Sequence, residues 1–246
     1  MAYKIVYPRT RFVVLIALWE LLVKRNPVVV ENTLNYCILT APYERSIRKA
    51  AGAKNRFHIL AKGPHDDPQE KKWFGGIVTN INEIRKFVDF SRIYPGTFDA
   101  VGKILKGQLI GLPCLPWFLP GSMVGPNNVL QLIVYPQYDT LGKIVKWGNL
   151  FLRVMGRSCL IATSCNLTGQ PTCVTPSMLS AYLATEPAEN LNLVVVQEIT
   201  HTKWGSAARL VPVWKNPRDP LFKVVRGVAP RYAIETLRAR GLLIDS

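Results

Sequence analysis

An apolar run that ends abruptly in polar residues is the feature that most constrains the fold of this chain. Residues 160–162 (LIA) are apolar and lead directly into residues 163–171, which read TSCNLTGQP. A buried strand of an α/β sheet delivers polar groups to a site at its carboxyl end in this way. Hydroxyls and the Asn166 amide can bind a phosphate or carboxylate, and Gly169 lets the backbone approach it. The same residues also suit an ordinary turn after a strand, so both interpretations stay open at this point.

Short apolar runs alternate with segments of helical periodicity in the first quarter of the chain. Residues 10–24 carry apolar side chains at helical spacing and end at an Asn-Pro pair, before the β-branched run 28–30. Residues 43–51 form a predicted basic helix that Gly52 ends, and residues 57–61 form the next predicted strand. This αβαβ order predicts a mixed α/β fold.

The rest of the chain continues the alternation. Further helices are predicted over 82–90, 98–106, 141–155, 176–184 and 230–240, and further strands over 109–112, 129–134, 159–163, 193–197, 210–214 and 222–225. Thr175 is positioned to cap the helix that Pro176 begins. Because we find no repeat and no convincing linker, we expect one α/β domain over residues 1–246.

The charge balance favours anionic partners. The chain has 31 Lys and Arg against 16 Asp and Glu, a formal net charge of +15. Such a surface attracts nucleotides, RNA or an anionic membrane, and charge alone does not choose among them. A solvated basic surface without a specific partner is the alternative.

The cysteines and the apolar segments indicate the cellular compartment in which the protein is found. The five cysteines are an odd number without C-x-x-C spacing, which is typical of a reducing compartment such as the cytoplasm. Residues 12–23 are the only candidate membrane segment, but Glu20 interrupts them and about 20 residues are needed to span a bilayer. We therefore expect a soluble cytoplasmic protein with no membrane partner.

Four further residues are candidates for anion binding. Lys54 and Arg56 precede the predicted strand 57–61, and in an extended segment their side chains face the same way. Arg226 ends another predicted strand beside a glycine, and Ser206 precedes a strand. A solvated basic turn explains Lys54 and Arg56 equally well when they are taken alone.

Together these residues resemble the YrdC-like family, the threonylcarbamoyl-adenylate synthases. A Lys-x-Arg opens a strand, Ser-x-Asn-Leu-x-Gly follows a later strand, a Ser precedes another strand and an Arg-Gly lies near the carboxyl end. The resemblance extends from about residue 15 to residue 241. Ser164 and Asn166 match the family's usual Ser-Ala-Asn-Leu-Ser-Gly, with Cys165 in place of the alanine.

The resemblance implies a twisted open mixed sheet with a concave basic cavity that binds ATP. In the family, bicarbonate and L-threonine give an N-carboxylated amino acid whose carbamate oxygen attacks the α-phosphate of ATP. Pyrophosphate leaves, Mg²⁺ bridges its oxygens, and the acyl-adenylate is used next to modify an adenosine in tRNA. By this resemblance Lys54 and Arg56 would be catalytic, because they neutralise charge. The residues that would bind the nucleotide are Ser164, Asn166, Ser206 and Arg226.

The amino-acid pocket of the family is rebuilt in this chain. The family's first strand normally leads into Pro-Thr-x-Thr-x-Tyr-Gly-Leu, whereas residues 31–38 read ENTLNYCI here. We expect Asn32, Thr33 and Tyr36 to line a pocket for an amine or amino acid that can differ from threonine. In addition, Val134 stands where the family usually has an Arg two residues before a Pro, so one cationic contact is missing.

The expected small-molecule partners are ATP with Mg²⁺, bicarbonate and an amine or amino acid such as L-threonine. The acceptor of the activated group would be tRNA or a downstream transferase. Two other functions stay open: a non-catalytic RNA-binding module that uses the same basic concavity, and a structural or partner-binding paralogue. The three histidines are scattered without a nearby acidic pair, so no protein metal site is predicted.

Overall fold

A mixed sheet of ten strands runs through the molecule. The computed structural model describes residues 4–7, 12–33, 35–55, 74–104, 108–115, 128–135, 139–197, 209–216, 218–226 and 230–244. The strands in these parts are β1 (Lys4–Val6), β2 (Val28–Glu31), β3 (Tyr36–Thr40), β4 (Gly75–Val78), β5 (Leu109–Pro113), β6 (Val129–Val134), β7 (Ile161–Ser164), β8 (Leu193–Val195), β9 (Arg209–Asn216) and β10 (Asp219–Arg226). Their order across the sheet is β1-β8-β2-β3-β7-β4-β6-β5-β9-β10.

Helices cover both faces of the sheet. They are α1 (Val13–Leu18), α2 (Glu44–Ala53), α3 (Pro95–Ile104), α4 (Thr140–Val154), α5 (Pro176–Leu183) and α6 (Arg231–Ala239), and α1 continues as a π-helix over Trp19–Val23. Parallel and antiparallel strand pairs occur in the same sheet. The predicted class, an α/β fold with a mixed open sheet and flanking helices, is confirmed.

Alternating side chains divide the core into two layers. In β2, Val28 and Val30 belong to the core layer that includes α1 and α4, whereas Val29 belongs to the layer that includes α2, α3 and α6. This follows from the two-residue period of a strand, which sends successive side chains to opposite faces. All three valines are fully buried, so β2 is covered on both sides.

The pairing of β7 determines which segments meet at its carboxyl end. β7 runs antiparallel to β3, with Ser164 opposite Cys37, and antiparallel to β4 on its other side. β3 also pairs antiparallel with β2, and residues 32–35 connect the two strands. Because β3 and β7 run in opposite directions, the end of β7 lies beside the start of β3 and the β2–β3 turn.

Thr175 caps α5 as predicted, and its hydroxyl accepts a hydrogen bond from the backbone N–H of Met178 at 3.2 Å. The predicted helix 82–90 is wrong. A single 3₁₀ turn, Ile81–Glu83, is followed by turns in which Ile84, Phe87 and Val88 are nevertheless buried. In this segment the apolar residues at helical spacing are buried, but they do not form a helix.

Two further predictions at the start of the chain need correction. α2 continues through Gly52 to Ala53, and the left-handed residue that follows the helix is Asn55, with a φ of 54°. β3 was not predicted, so β2 leads into a hairpin and the αβαβ order is wrong. The predicted strand 57–61 lies outside the described residues.

Among the described helices, none is long and apolar enough to cross a membrane.

Candidate functional site

Lys54 follows the last residue of α2, and its side chain is completely buried. The ammonium Nζ donates to the Ser164 carbonyl, to the Asn166 carbonyl at 2.9 Å and to Asn166 Oδ1 at 2.5 Å. The Ser164 hydroxyl lies 3.5 Å from the same nitrogen. A buried ammonium needs acceptors that replace the water it has lost, and the loop after β7 supplies them. The lysine that the sequence singled out therefore meets the serine and the asparagine.

The loop after β7 is held by its own polar side chains. The Ser164 hydroxyl donates to Asn166 Oδ1 at 2.7 Å, and Asn166 Nδ2 donates to the Gln170 carbonyl at 2.5 Å. Gly169 has a φ of 87°, which is strained for any side chain, so the turn requires glycine there. The amide of Asn166 thus has a fixed orientation, with its oxygen toward Lys54 and its nitrogen toward the loop.

The same loop forms hydrogen bonds with the end of α2. Thr168 donates to the Lys54 carbonyl twice, from its backbone nitrogen at 3.0 Å and from its hydroxyl at 2.9 Å. The Tyr182 hydroxyl of α5 donates to the Ala53 carbonyl at 2.7 Å. These donors satisfy carbonyls that have no partner within the helix. Sequence reasoning had not assigned a role to Thr168 or Tyr182, although Thr168 belongs to the motif itself.

Two cysteines lie directly beneath this loop. Cys165 and Cys173 are buried, and a backbone ladder joins them to β3, in which Cys165 N–H donates to the Tyr36 carbonyl at 2.9 Å and Tyr36 N–H donates to the Cys173 carbonyl at 3.0 Å. A hydrogen bond from the Cys165 thiol lowers the pKa of Cys173, burial opposes this, and the nearby Lys54 charge lowers it further. Burial raises the pKa of Cys165 well above its usual value. Cys173 is therefore the group of this pair that ionises first.

The residues predicted for the amine pocket form the β2–β3 turn. Asn32 is buried, and its Nδ2 donates to Asn35 Oδ1 at 3.1 Å while its Oδ1 accepts from the Asn35 backbone at 3.0 Å. Thr33 is half-buried at the tip of this turn. Tyr36 is buried at the start of β3, and its hydroxyl donates to Glu31 Oε1 at 3.3 Å. These residues lie beside the end of β7, because β3 pairs with that strand.

A buried carboxylate, Glu31, adjoins the turn, and its partner Gln197 was not among the predicted site residues. Gln197, just beyond β8, donates its backbone N–H to Glu31 Oε2 at 2.6 Å and its Nε2 to the Glu31 carbonyl. Its Oε1 accepts from the backbone of Thr140 at 2.9 Å, in the first turn of α4. Gln197 follows the apolar run 193–196 directly, as the polar residues 163–171 follow the apolar run 160–162, and that pattern was the available signal.

The other predicted site residues are not joined to this cluster by described contacts. Arg56 and Ser206 lie outside the described residues. Arg226 ends β10, five strands away from β7 in the sheet order, and its side chain is not described. The expectation that Lys54 lies in an extended segment is wrong, because Lys54 has φ and ψ of −99° and 2° and Asn55 is left-handed.

A cleft of about 970 Å³ lies beside α2 and residues 186–190. Its described lining has three cations and three carboxylates and includes neither Ser164 nor Asn166; the lining residues are Glu44, Arg45, Arg48, Lys49, Gly52, Asn55, Glu186, Pro187 and Glu189. This balance of charge differs from the basic cavity that the resemblance implies, so that cavity stays a prediction. In the part of the chain that the structure describes, no group of three His, Cys, Asp or Glu could hold a metal ion.

No protein-family model and no curated protein matches this chain, whereas solved structures do. A doubly substituted variant of Sua5 from P. abyssi has a TM-score of 0.65 at 13% identity and covers 95% of this chain and 63% of its own. Sua5 from P. abyssi complexed with L-threonine has a TM-score of 0.65 at 12% identity, over 91% of this chain and 57% of its own. E. coli YciO has a TM-score of 0.65 at 14% identity, over 95% of this chain and 99% of its own.

These similarities establish the fold. The chain spans about three fifths of the length of the Sua5 chains and nearly all of YciO. The YrdC-like fold that the motif order suggested is confirmed.

Proposed function

We propose that this chain, which has a YrdC-like fold, is a nucleotidyltransferase that uses ATP to activate an N-carboxylated amino acid or amine. The observation that carries the proposal is the buried Lys54 ammonium held against Ser164 and Asn166 at the carboxyl end of β7. Ligands of open α/β sheets bind outside the carboxyl ends of the strands, where those three residues lie.

The reaction requires positioned positive charge and no side-chain nucleophile. The amine condenses with bicarbonate to a carbamate with loss of water, the carbamate oxygen attacks the α-phosphate of ATP, and the bond to pyrophosphate breaks so that pyrophosphate leaves. Negative charge develops on the phosphate oxygens, and a cation in a region of low dielectric stabilises it more strongly than one in water. Lys54 supplies that charge, Arg56 and Arg226 would add to it, and Ser164, Asn166 and Ser206 would orient the nucleotide. Mg²⁺ would be held mainly by the phosphate oxygens.

The amine substrate is the less constrained part of the proposal. The β2–β3 turn, with Asn32, Thr33 and Tyr36, is the proposed pocket, and its sequence departs from the family pattern for threonine. L-threonine is bound by the P. abyssi Sua5 that shares this fold. For this chain we propose that the substrate is an amino acid or an amine, and threonine is one candidate. Transfer to tRNA, directly or through a further transferase, would follow.

Pyrophosphate release tests the proposal. Purified protein with ATP, Mg²⁺, bicarbonate and a panel of amino acids and amines should release pyrophosphate with at least one of them. Asn166→Ala should lower the rate by about 100-fold, because it removes a group that orients charge at the reacting phosphate. Asn192→Ala changes an exposed asparagine and should leave the rate unaltered. Nucleotide binding without release for any amine would contradict the catalytic proposal.

The net charge of +15 supports one other candidate, a non-catalytic RNA-binding module. Such a module would bind RNA with a steep salt dependence and without a response to ATP. ATP binding with no RNA retention at physiological salt would exclude it.

A further inference from the structure

Helix α1, its π-helical continuation and helix α4 lie side by side on one face of the sheet and expose large apolar side chains. Phe12, just before α1, is 69% exposed and Val154 of α4 is 81% exposed. Soluble proteins rarely expose a contiguous set of this size without a use for it. The eight residues of this apolar face are Phe12, Leu15, Trp19, Val23, Trp147, Leu150, Phe151 and Val154, each at least 41% exposed.

The two exposed stripes lie on neighbouring helices that are in contact with each other. Each stripe recurs at three- or four-residue spacing, so it follows one side of its helix. The opposite sides of the same helices are packed on the sheet, with Ala17 and Leu21 of the first and Ile144 and Leu152 of the second fully buried. The helices are in contact where Leu18 approaches within 3.4 Å of the position that a Cβ at Gly148 would occupy. Both helices thus carry apolar side chains on the side that packs against the sheet and also on the side that faces solvent.

The exposed charged residues of α4 are all positive. Lys143, Lys146, Arg153 and Arg157 are exposed along α4 and just after it. Residues 140–157 contain no carboxylate, and residues 12–25 contain one, Glu20. The Glu20 side chain is 13% exposed and is bonded to Lys24 at 2.7 Å. Exposed apolar and aromatic side chains therefore alternate with cations along α4.

We propose that this face binds the surface of an anionic membrane. Tryptophan and phenylalanine favour the boundary between headgroups and acyl chains, and the surrounding Lys and Arg would contact anionic headgroups. Two neighbouring helices that expose apolar side chains suit a bilayer better than a peptide, which needs a groove. A second copy of the chain is disfavoured, because it would bring the same cations together. The described helices are too short to span a bilayer, so the proposed contact is peripheral, and it differs from the expectation of no membrane partner, which stays a prediction.

Vesicle binding tests the proposal. Intact protein should sediment with phosphatidylcholine vesicles that contain about one third phosphatidylserine, and it should not sediment with pure phosphatidylcholine. Trp19→Ser/Trp147→Ser should weaken the binding at least tenfold, roughly the contribution of two interfacial aromatic residues. Lys143→Gln/Lys146→Gln/Arg153→Gln should weaken it by about 100-fold, since each cation contributes about fivefold. All five side chains are exposed, so folding should be kept, which circular dichroism checks.

A matched control changes exposed aromatic residues away from this face. Tyr94 and Tyr232 are each 47% exposed and lie near α3 and α6, which cover the other side of the sheet. Tyr94→Ser/Tyr232→Ser should bind anionic vesicles like the unchanged protein. The proposal is overturned if anionic vesicles do not bind, or if both lipid compositions bind equally. It is also overturned if the tryptophan variant binds like the control, or if the face instead forms a dimer that the tryptophan variant abolishes in sedimentation equilibrium.

Discussion

Lys54 illustrates how a single buried charge organises a loop. Its ammonium is surrounded by the Ser164 and Asn166 carbonyls and by the Asn166 side chain. The backbone carbonyl of Lys54 accepts a hydrogen bond from the Thr168 hydroxyl. Removing the charge would leave these acceptors buried without a donor, which costs more than the net value of the hydrogen bonds themselves. One residue therefore contributes both to the stability of the loop and to the positive charge of the proposed site.

We expect Lys54→Met to destabilise the fold by about 1–3 kcal/mol, because the side-chain volume is kept while the donor is lost. The same variant should show no pyrophosphate release. Urea denaturation measures the first effect, with Lys103→Met as the control, since Lys103 is exposed on α3. Equal stability of Lys54→Met and the unchanged protein would mean that water reaches the loop acceptors.

The two thiols beneath the loop should differ in reactivity. The pKa of Cys173 is lowered by the hydrogen bond from Cys165, and the pKa of Cys165 is raised by burial. Both thiols are buried, so iodoacetamide at neutral pH should react with them only slowly, and it should modify Cys173 before Cys165, which mass spectrometry of the digested protein identifies. Cys165→Ala removes the donor, so it should raise the pKa of Cys173 and slow its alkylation several-fold. Cys114→Ala, in the core, is the control, and a rate unchanged in Cys165→Ala would contradict the assigned cause.

At the scale of elements, close packing of α4 on the sheet holds the two-helix layer together. A Cβ added at Gly148 would lie 2.6 Å from Leu160 Cδ1, a distance that forces side chains to move. The helix can lie this close to the strand only because the residue is glycine. The same contact brings α1 and α4 together, and it therefore also shapes the apolar face.

Gly148→Ala should accordingly cost about 1–3 kcal/mol of stability through overpacking. Gly96→Ala is a matched control, because Gly96 lies in α3 with no atom near the added Cβ. There the substitution should be neutral or stabilising by up to about 1 kcal/mol, since alanine favours helix. Thermal unfolding of both variants gives the comparison, and equal effects at the two positions would refute the packing argument.

Several thiols and a tyrosine hydroxyl are buried in different parts of the molecule. These groups are neutral at physiological pH and lose a proton at high pH. Burial raises the pKa of Cys37 and of Cys159 to about 12 and also raises the pKa of Cys114 and of Tyr36. In the unfolded chain a thiol loses its proton near pH 8.5, before the folded protein does. The unfolded state therefore binds fewer protons in base, and the free energy of unfolding falls as pH rises.

Stability should thus be maintained up to about pH 8.5 and should fall as the pH rises from there toward about 12, because the unfolded chain gives up the protons of these thiols more readily than the folded protein does. Urea midpoints measured under reducing conditions between these values give the slope. The variant Cys37→Ala/Cys159→Ala should show a smaller slope, by the contribution of two thiols. A midpoint that stays constant or rises with pH would contradict the burial of these groups.

Features that depend on local chemistry could be predicted from the sequence. Capping of α5 by Thr175, the apolar strands β6 and β7, and the polar residues after β7 are all local features, because they depend on neighbours within a few positions. The order of the motifs along the chain also led to the YrdC-like fold. That fold predicted a meeting of Lys54, Ser164 and Asn166, and the described contacts agree with it.

Contacts between residues that are far apart in the sequence became visible only in the tertiary structure, since such contacts leave no local pattern. Glu31 and Gln197 are separated by 166 positions, and only the parallel pairing of β2 with β8 brings them together. Cys173 meets Cys165 through a backbone ladder with Tyr36. Whether an apolar helical side is buried or exposed also depends on what lies opposite it. The periodicity of α1 and α4 indicated apolar helices, but only the sheet beneath them decided which side would remain uncovered.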